Sequence, residues 1–206
     1  MNTIDRNIVI TFEDDLANQF IRLSQAVGGK VTSKINLNHK NEIPHLTLYM
    51  STYPTKNIEL IINKLAEIAK STKPFKLKLK SKSCHPTGTI FINAVLSDEL
   101  YQLHKELVEA INPLREGVYN KKDLSFSGMT EKTRRSLKEY GMWEVKNSYI
   151  PHVSVGRITD LKDCETALSA LPEKINYETL VESIALVETG HDGTCKKTLM
   201  KFKFKI

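Results

Sequence analysis

Two stretches of the chain repeat the same residue types, and those types could do chemistry together. "IPHLTLYM" (43–50) and "IPHVSVGR" (150–157) both read Ile-Pro-His, then an apolar residue, a hydroxyl residue and a second apolar residue. A single His-x-[Ser/Thr] is too short to carry meaning. Two copies with the same flanks, one in each half of the chain, indicate an internal duplication of one strand.

The spacing inside each stretch places its polar residues together. Successive side chains of a strand point to opposite faces, so His45 shares a face with Thr47, and His152 shares a face with Ser154. Two such strands, side by side or facing across a groove, would bring two imidazoles and two hydroxyls together. A neutral imidazole can take a proton from a nucleophile while a protonated one donates to the leaving oxygen. The hydroxyls can hydrogen-bond the non-bridging oxygens of a phosphodiester.

These four residues therefore form the predicted site, with His45 and His152 catalytic and Thr47 and Ser154 phosphate-binding. No carboxylate–histidine cluster has metal-ligand spacing, so neither a metal nor a cofactor is expected. The alternative is that the histidines are satisfied structural residues and the hydroxyls are ordinary strand residues that face water.

Three further residues are candidates for substrate contact. Tyr49 has the parity of His45 and is expected either to stack on a base or ribose or to pack as a groove wall. Phe91 alternates with apolar neighbours in "TIFINAV" and is predicted to face the groove. Arg157 has the opposite parity to His152, so an ideal strand would point it away from the groove, but a strand end or a bulge at Gly156 could re-aim it.

Strand and helix patterns alternate along the chain, which predicts an α+β or α/β domain with two mixed sheets. Residues 117–149 break this alternation and are interpreted as a long connection, either a possible lid or a covering loop. The predicted strands are 7–12, 31–38, 45–50, 75–82, 89–96, 150–157, about 180–188 and 196–205, and the predicted helices are 13–29, 57–71, 97–114, 130–140 and 160–172.

Composition sets wider limits. The 206 residues include 30 basic and 24 acidic side chains, a net charge of +6 that fits either a polyanionic ligand such as nucleic acid or an ordinary lysine-rich protein. The alternating lysines of "FKLKLKSK" (75–82) and "KFKFKI" (201–206) are expected on a solvated face or on the open side of the groove. Three widely spaced cysteines suggest reduced thiols and a cytoplasmic setting. No apolar run approaches the roughly 20 residues of a membrane span, and no obligatory protein partner is indicated.

The paired motif resembles the signature of the 2H phosphoesterase superfamily, which includes 2′,5′ RNA ligase-like proteins and cyclic nucleotide phosphodiesterases. The similarity extends over most of the chain. The matching residues are His45-Leu46-Thr47-Leu48 in the first motif and His152-Val153-Ser154-Val155 in the second, with Pro44, Pro151 and Arg157 around them.

This resemblance implies an α+β, bilobal fold, with two mixed antiparallel sheets, helices on the outer faces and pseudo-twofold symmetry around a central groove. Residues 1–206 would then be a single domain of two intertwined lobes. It also implies a metal-independent phosphodiesterase whose substrate is an RNA end, an oligonucleotide or a cyclic nucleotide, with a 2′,3′-cyclic phosphate or a 2′,5′ linkage. Two alternatives stay open: 2′,5′ RNA ligation, and an RNA- or nucleotide-binding module without turnover.

Overall fold

Eight strands and five helices alternate along residues 2–120 and 129–205, the parts of the chain that the computed structural model describes. Residues 121–128 of the long connection lie outside the described residues. No helix in the described parts is long and apolar enough to cross a membrane. The strands are β1 (Thr3–Thr11), β2 (His45–Pro54), β3 (Phe75–Cys84), β4 (Thr89–Ala94), β5 (His152–Arg157), β6 (Tyr177–Val181), β7 (Ser183–Thr189) and β8 (Cys195–Lys203), and the helices are α1 (Asp14–Gly28), α2 (Ile58–Ser71), α3 (Asp98–Ile111), α4 (Glu131–Tyr140) and α5 (Cys164–Ser169).

All eight described strands belong to one sheet, in the order β6-β3-β4-β5-β2-β1-β7-β8. The α+β class is confirmed, but the two separate mixed sheets are not. Each described pairing is antiparallel, and the two halves of four strands join where β2 meets β5 through one residue pair, Leu46↔Val153. The motif strands are thus the two central neighbours of the sheet.

The helices cover one face of the sheet and leave the other face open at its centre. The apolar motif residues Leu46, Leu48, Val153 and Val155 are fully buried in the main core. Helix α2 packs on β7 and β8, and α3 packs mainly on β2 and also contacts β3 of the other half. Helix α1 follows β1 in the chain but packs against β5, and α3 follows β4 but packs mainly against β2, so each half supplies a helix to the other. Helix α5 packs against β3 and β4.

The predicted strand 31–38 is wrong. Its period-two apolar residues Ile35 and Leu37 are buried, but the segment makes only an isolated bridge, between Ser33 and Ile158. Side chains take the place of a ladder here. The Ser33 hydroxyl donates to the carbonyl of Ile35 at 2.8 Å, and the Leu37 N–H donates to Oγ of Ser24 at 3.0 Å. Such local side-chain bonds compete with strand pairing.

The cysteine prediction also needs correction. Cys84 ends β3 and Cys164 begins α5, and the two are joined by a disulfide because α5 packs on β3. Cys195 is a free, buried thiol. Disulfides are typical of oxidising compartments. The cysteines therefore no longer support the predicted cytoplasmic setting.

Candidate active site

A cavity of about 780 Å³ opens on the uncovered face of the sheet where β2 and β5 adjoin. His45, Thr47, His152 and Ser154 all line it. In the antiparallel register set by Leu46↔Val153, His45 lies level with Ser154 and Thr47 lies level with His152. The structure therefore brings the four residues of the duplicated motif together.

Each motif strand contains a β-bulge at the fourth motif residue. Along β2, Thr47 and Tyr49 face consecutive residues of β1, which leaves Leu48 without a partner. Along β5, Ser154 and Gly156 face consecutive residues of β4, which leaves Val155 without one. A bulge adds one residue to a strand, so the alternation of faces reverses beyond it.

This reversal makes the predicted groove position of Tyr49 wrong. Its side chain is fully buried in the main core, and its hydroxyl donates to the carbonyl of Tyr140 at 2.6 Å and lies 3.0 Å from Oδ1 of Asn112. Met50 lines the cavity instead. Gly156 takes the equivalent core-facing position on β5, where a Cβ would come within 2.9 Å of Val27.

The same reversal turns Arg157 into the cavity. The bulge that does so is at Val155, one residue before the predicted Gly156. Nη1 of Arg157 lies 2.8 Å from Oδ1 of Asp192 in the turn between β7 and β8. This ion pair links the two halves of the sheet across the cavity rim.

Phe91 lies in the cavity as predicted and supports one of the two histidines. Its ring is stacked on the imidazole of His152, with the ring centroids 3.6 Å apart. Phe91 faces Ser154 in the β4–β5 register, directly before the bulge. The aromatic ring thus fixes the plane of the His152 imidazole.

Both motif histidines are anchored in the same way. Nδ1 of His45 lies 2.8 Å from the carbonyl of Ile43, and Nδ1 of His152 lies 2.7 Å from the carbonyl of Ile150. Because a carbonyl oxygen only accepts, each Nδ1 carries the proton, and Nε2 of a neutral ring is the basic nitrogen. Each anchoring residue precedes a proline, which restricts it to the extended region.

Burial favours the neutral form of both imidazoles. It lowers the pKa of His45, against the opposing effects of the Ile43 and Gly193 carbonyls. It likewise lowers the pKa of His152, against the Ile150 carbonyl and the Glu144 carboxylate. The nearby His45 lowers the pKa of His152 further, so the two rings influence each other and titrate as a pair.

Asn7 is a functional-site neighbour that the sequence did not reveal. This fully buried residue of β1 donates through Nδ2 to Oγ of Thr47 at 2.9 Å. Because the amide is the donor, the Thr47 hydroxyl keeps its own hydrogen for a ligand in the cavity. The available signal was an asparagine directly before the apolar run "IVI" (8–10).

Two further histidines line the cavity rim, each beside a glutamate. Nε2 of His85 lies 3.2 Å from Oε1 of Glu144, and Nε2 of His191 lies 2.9 Å from Oε1 of Glu42. The hydrogen bond to Glu42 raises the pKa of His191. Both histidines lie in polar turns without a repeated motif, so no sequence pattern groups them with the motif histidines.

The lysines of β3 do not line this cavity. Lys76 and Lys78 pair with Glu178 on the edge strand β6, and Lys82 donates to the carbonyls at the end of α5. Among the cavity-lining residues that the structure describes, Arg157 is the one lysine or arginine. Within residues 2–120 and 129–205, no three His, Cys, Asp or Glu side chains are grouped so that they could hold a metal ion.

Comparison with known proteins agrees with this architecture. The family model described as the 2′-5′ RNA ligase superfamily matches residues 12–193. No curated protein matches the chain in sequence. The crystal structure of TT0787 of Thermus thermophilus is similar in fold, with a TM-score of 0.66 and 16% identity over 98% of both chains. Escherichia coli LigT complexed with 3′-AMP gives a TM-score of 0.62 and 12% identity over 100% of both chains.

Proposed function

Because the chain belongs to the 2′-5′ RNA ligase superfamily, we propose that it is a metal-independent phosphodiesterase acting on an RNA-derived or nucleotide substrate. The observation that carries the proposal is the arrangement of His45, Thr47, His152 and Ser154 on two central neighbouring strands, all lining one cavity. Two imidazoles supply a base and an acid, and two hydroxyls supply donors for a phosphate. The solved complexes of the relative LigT with 3′-AMP, ATP and NADP+ support a nucleotide as the ligand class.

The simplest reaction is the opening of a 2′,3′-cyclic phosphate by water. Nε2 of one histidine takes a proton from the attacking water as its oxygen bonds to phosphorus. The bond from phosphorus to one ribose oxygen then breaks, and the second histidine gives that oxygen a proton. In a 2′,5′-linked oligonucleotide, the neighbouring ribose hydroxyl replaces water as the nucleophile. The motif is pseudo-symmetric, so the orientation of the substrate decides which histidine is the base.

Thr47, Ser154 and Arg157 complete the proposed phosphate site. The hydroxyls donate to the non-bridging oxygens, and the guanidinium offers the cation that balances their developing charge. Arg157 is paired with Asp192 in the structure. A bound phosphate would either displace the Asp192 carboxylate from the guanidinium or bind to the guanidinium beside it. Phe91 contributes through the stacked ring of His152.

The test replaces each motif histidine by alanine and assays both variants, with EDTA present, on 2′,3′-cyclic mononucleotides and 2′,5′-oligoadenylates. General acid–base groups contribute about 10²- to 10⁴-fold, so His45→Ala and His152→Ala should each lose at least about 10²-fold in kcat. The exposed His39 provides a matched control, and His39→Ala should retain the parent rate. Full activity in both cavity variants would overturn the proposal, and circular dichroism shows whether each variant is folded.

Ligation is the second candidate, because the family description itself names a 2′-5′ RNA ligase. It needs the same four residues, with a 5′-hydroxyl in place of water as the nucleophile on the cyclic phosphate. One histidine takes the proton of that hydroxyl as its oxygen bonds to phosphorus, the bond from phosphorus to the 3′-oxygen breaks, and the other histidine protonates the 3′-oxygen. Ligation is thus the reverse of the cleavage of a 2′,5′ linkage by the neighbouring ribose hydroxyl. An assay for joined product on two RNA fragments separates the two reactions. Nucleotide binding that persists in the double alanine variant, together with no activity of the parent on any phosphodiester, would favour a binding module.

A further inference from the structure

One wall of the cavity comes from residues 137–144, at the end of the long connection. Leu137, Met142, Trp143 and Glu144 all line the cavity, and none belongs to the duplicated motif. Helix α4 is followed by the capping residue Gly141, whose φ of 69° is left-handed. A Cβ there would collide with Oγ of Ser51, so the chain turns tightly against β2 before residues 142–144.

Glu144 is connected to the reacting centre through a short series of contacts. Its Oε1 lies 3.2 Å from Nε2 of His85, and the other ring nitrogen of His85 lies 2.7 Å from Oγ of Thr87. The His85 ring centroid is 5.2 Å from that of Phe91, and Phe91 is stacked on His152. The Glu144 carboxylate therefore lines the same cavity as the motif residues, with the His85 side chain between it and the Phe91 ring that supports His152.

Besides its contact with His85, a carboxylate in this position can accept a further hydrogen bond from a ligand in the cavity. Carboxylate oxygens only accept, and the Glu144 side chain is 25% exposed, so it is open to the cavity. Its negative charge disfavours a phosphate close by. A nucleobase offers a donor for this bond when it carries an exocyclic amino group, as adenine, cytosine and guanine do. Uracil instead presents carbonyl oxygens on both sides of its single ring N–H.

The neighbouring side chains suit the face of such a base. Trp143 and Met142 precede Glu144, and Met50 from the bulged part of β2 lines the same cavity. Bases that are read outside a duplex are typically stacked on an aromatic ring and hydrogen-bonded on their Watson–Crick edge. An apolar and aromatic wall that ends in a fixed carboxylate offers both kinds of contact.

We propose that Trp143 and Glu144 form a nucleobase subsite, in which His85 positions the carboxylate and the carboxylate selects bases with an exocyclic amino group. The proposal rests on the proposed phosphodiesterase function for its turnover assay. It assigns a role in substrate recognition to the end of the long connection, a role that the motif residues do not fill.

The first experiment measures kcat/KM for the four 2′,3′-cyclic mononucleotides. The parent should favour the adenosine, cytidine and guanosine substrates over the uridine substrate by about 10-fold or more, since hydrogen bonds to charged groups are the stronger ones. Glu144→Gln, which can also donate, should reduce that preference at least about fivefold. Glu131→Gln on the exposed side of α4 is the matched control and should leave the preference unchanged.

Two results of this assay would overturn the subsite. One is a parent enzyme that shows no preference against uridine. The other is a Glu144→Gln variant that loses the same factor on all four substrates, because a uniform loss means that the carboxylate acts through the nearby His152 and not on the base.

The second experiment does not depend on turnover. Trp143 is the single tryptophan of the chain, so its intrinsic fluorescence reports on this wall alone. Titration with 3′-AMP should change the emission, whereas inorganic phosphate should not. No change with 3′-AMP, or an equal change with phosphate, would contradict the subsite. A change with 3′-AMP in a protein that neither opens a cyclic nucleotide nor cleaves a 2′,5′-oligoadenylate would reject the proposed activity while supporting the subsite.

Discussion

At the scale of single residues, the two motif histidines combine burial with one fixed hydrogen bond. His45 is only 8% exposed, and each ring is tied through Nδ1 to the carbonyl two residues earlier. Such an anchor sets the tautomer and aims Nε2, while burial keeps the ring neutral. A neutral imidazole can act as the base at once, but the histidine that acts as the acid must first be protonated. The negative charge of the substrate phosphate stabilises that protonated imidazole.

The pH dependence of turnover follows from the lowered pKa values of His45 and His152. Above pH 6.5, the usual pKa of histidine, both rings are neutral in the free protein. Turnover requires one of the two rings to be protonated and the other neutral. We therefore expect a bell-shaped profile of kcat/KM with its maximum below pH 6.5. The profile of kcat should lie at higher pH, since bound phosphate raises the pKa of the imidazoles.

Steady-state rates on a 2′,3′-cyclic nucleotide from about pH 4 to about pH 9 check this expectation. The variant Asp160→Asn, which changes a charge outside the cavity lining, should reproduce the parent profile. A flat kcat/KM profile, or a maximum well above pH 6.5, would contradict the assignment of two titrating imidazoles with lowered pKa values.

At the scale of elements, the sequence predicted the motif strands correctly up to their bulges. Residues before each bulge obey period two, which is why His45, Thr47, His152 and Ser154 lie where the alternation places them. The bulges at Leu48 and Val155 arise from pairing with β1 and β4, and no local residue type marks them. Tyr49 was misplaced for this reason, and Arg157 reaches the cavity for the same reason.

His104 is a structural histidine that lies outside the candidate active site and connects three elements of the fold. It lies on α3, fully buried, with Nδ1 2.7 Å from the carbonyl of Leu48 and Nε2 accepting from the N–H of Lys146 at 2.8 Å. Its ring is stacked on Tyr149. One side chain thus joins the bulge of β2, the helix α3 and the segment that leads to β5.

Replacing His104 by leucine should lower the free energy of unfolding by about 2–4 kcal/mol, because it leaves a buried carbonyl and a buried N–H without a partner. Burial lowers the pKa of His104 to about 4, from 6.5 in the unfolded chain. This contribution is complete above pH 6.5. It falls by about 1.4 kcal/mol per pH unit as the pH drops from 6.5 to about 4, because only the unfolded chain binds the proton in that range.

Urea unfolding of the parent and of His104→Leu at about pH 7 and about pH 5 measures both effects. The difference between the two proteins should narrow at the lower pH, since only the parent loses the His104 contribution. The motif histidines titrate in both proteins and cancel in the comparison. The exposed His39 supplies the control His39→Leu, and a difference that stayed constant with pH would rule out a buried neutral His104.

At the scale of the molecule, the fold class followed from the order of strands and helices, but the single sheet did not. Whether two groups of four strands form separate sheets depends on one contact, Leu46↔Val153, between strands far apart in the chain. The prediction of reduced cysteines was wrong for the same reason, because it rested on their wide spacing in the sequence. Cys84 and Cys164 are 80 residues apart in the chain and adjacent in space.

Removal of the Cys84–Cys164 disulfide measures how much this long-range cross-link stabilises the folded protein. A cross-link between distant residues restricts the unfolded chain, and removal of one typically costs about 2–4 kcal/mol. The double variant Cys84→Ser/Cys164→Ser should therefore unfold at a lower temperature than the oxidised parent. Dithiothreitol should lower the Tm of the parent and of the control Cys195→Ala, whose free thiol is not cross-linked, but not that of the double variant. If the reductant left the parent unchanged and the double variant matched it, the bond would carry no stability, and packing of α5 on β3 and β4 would alone hold this side of the sheet.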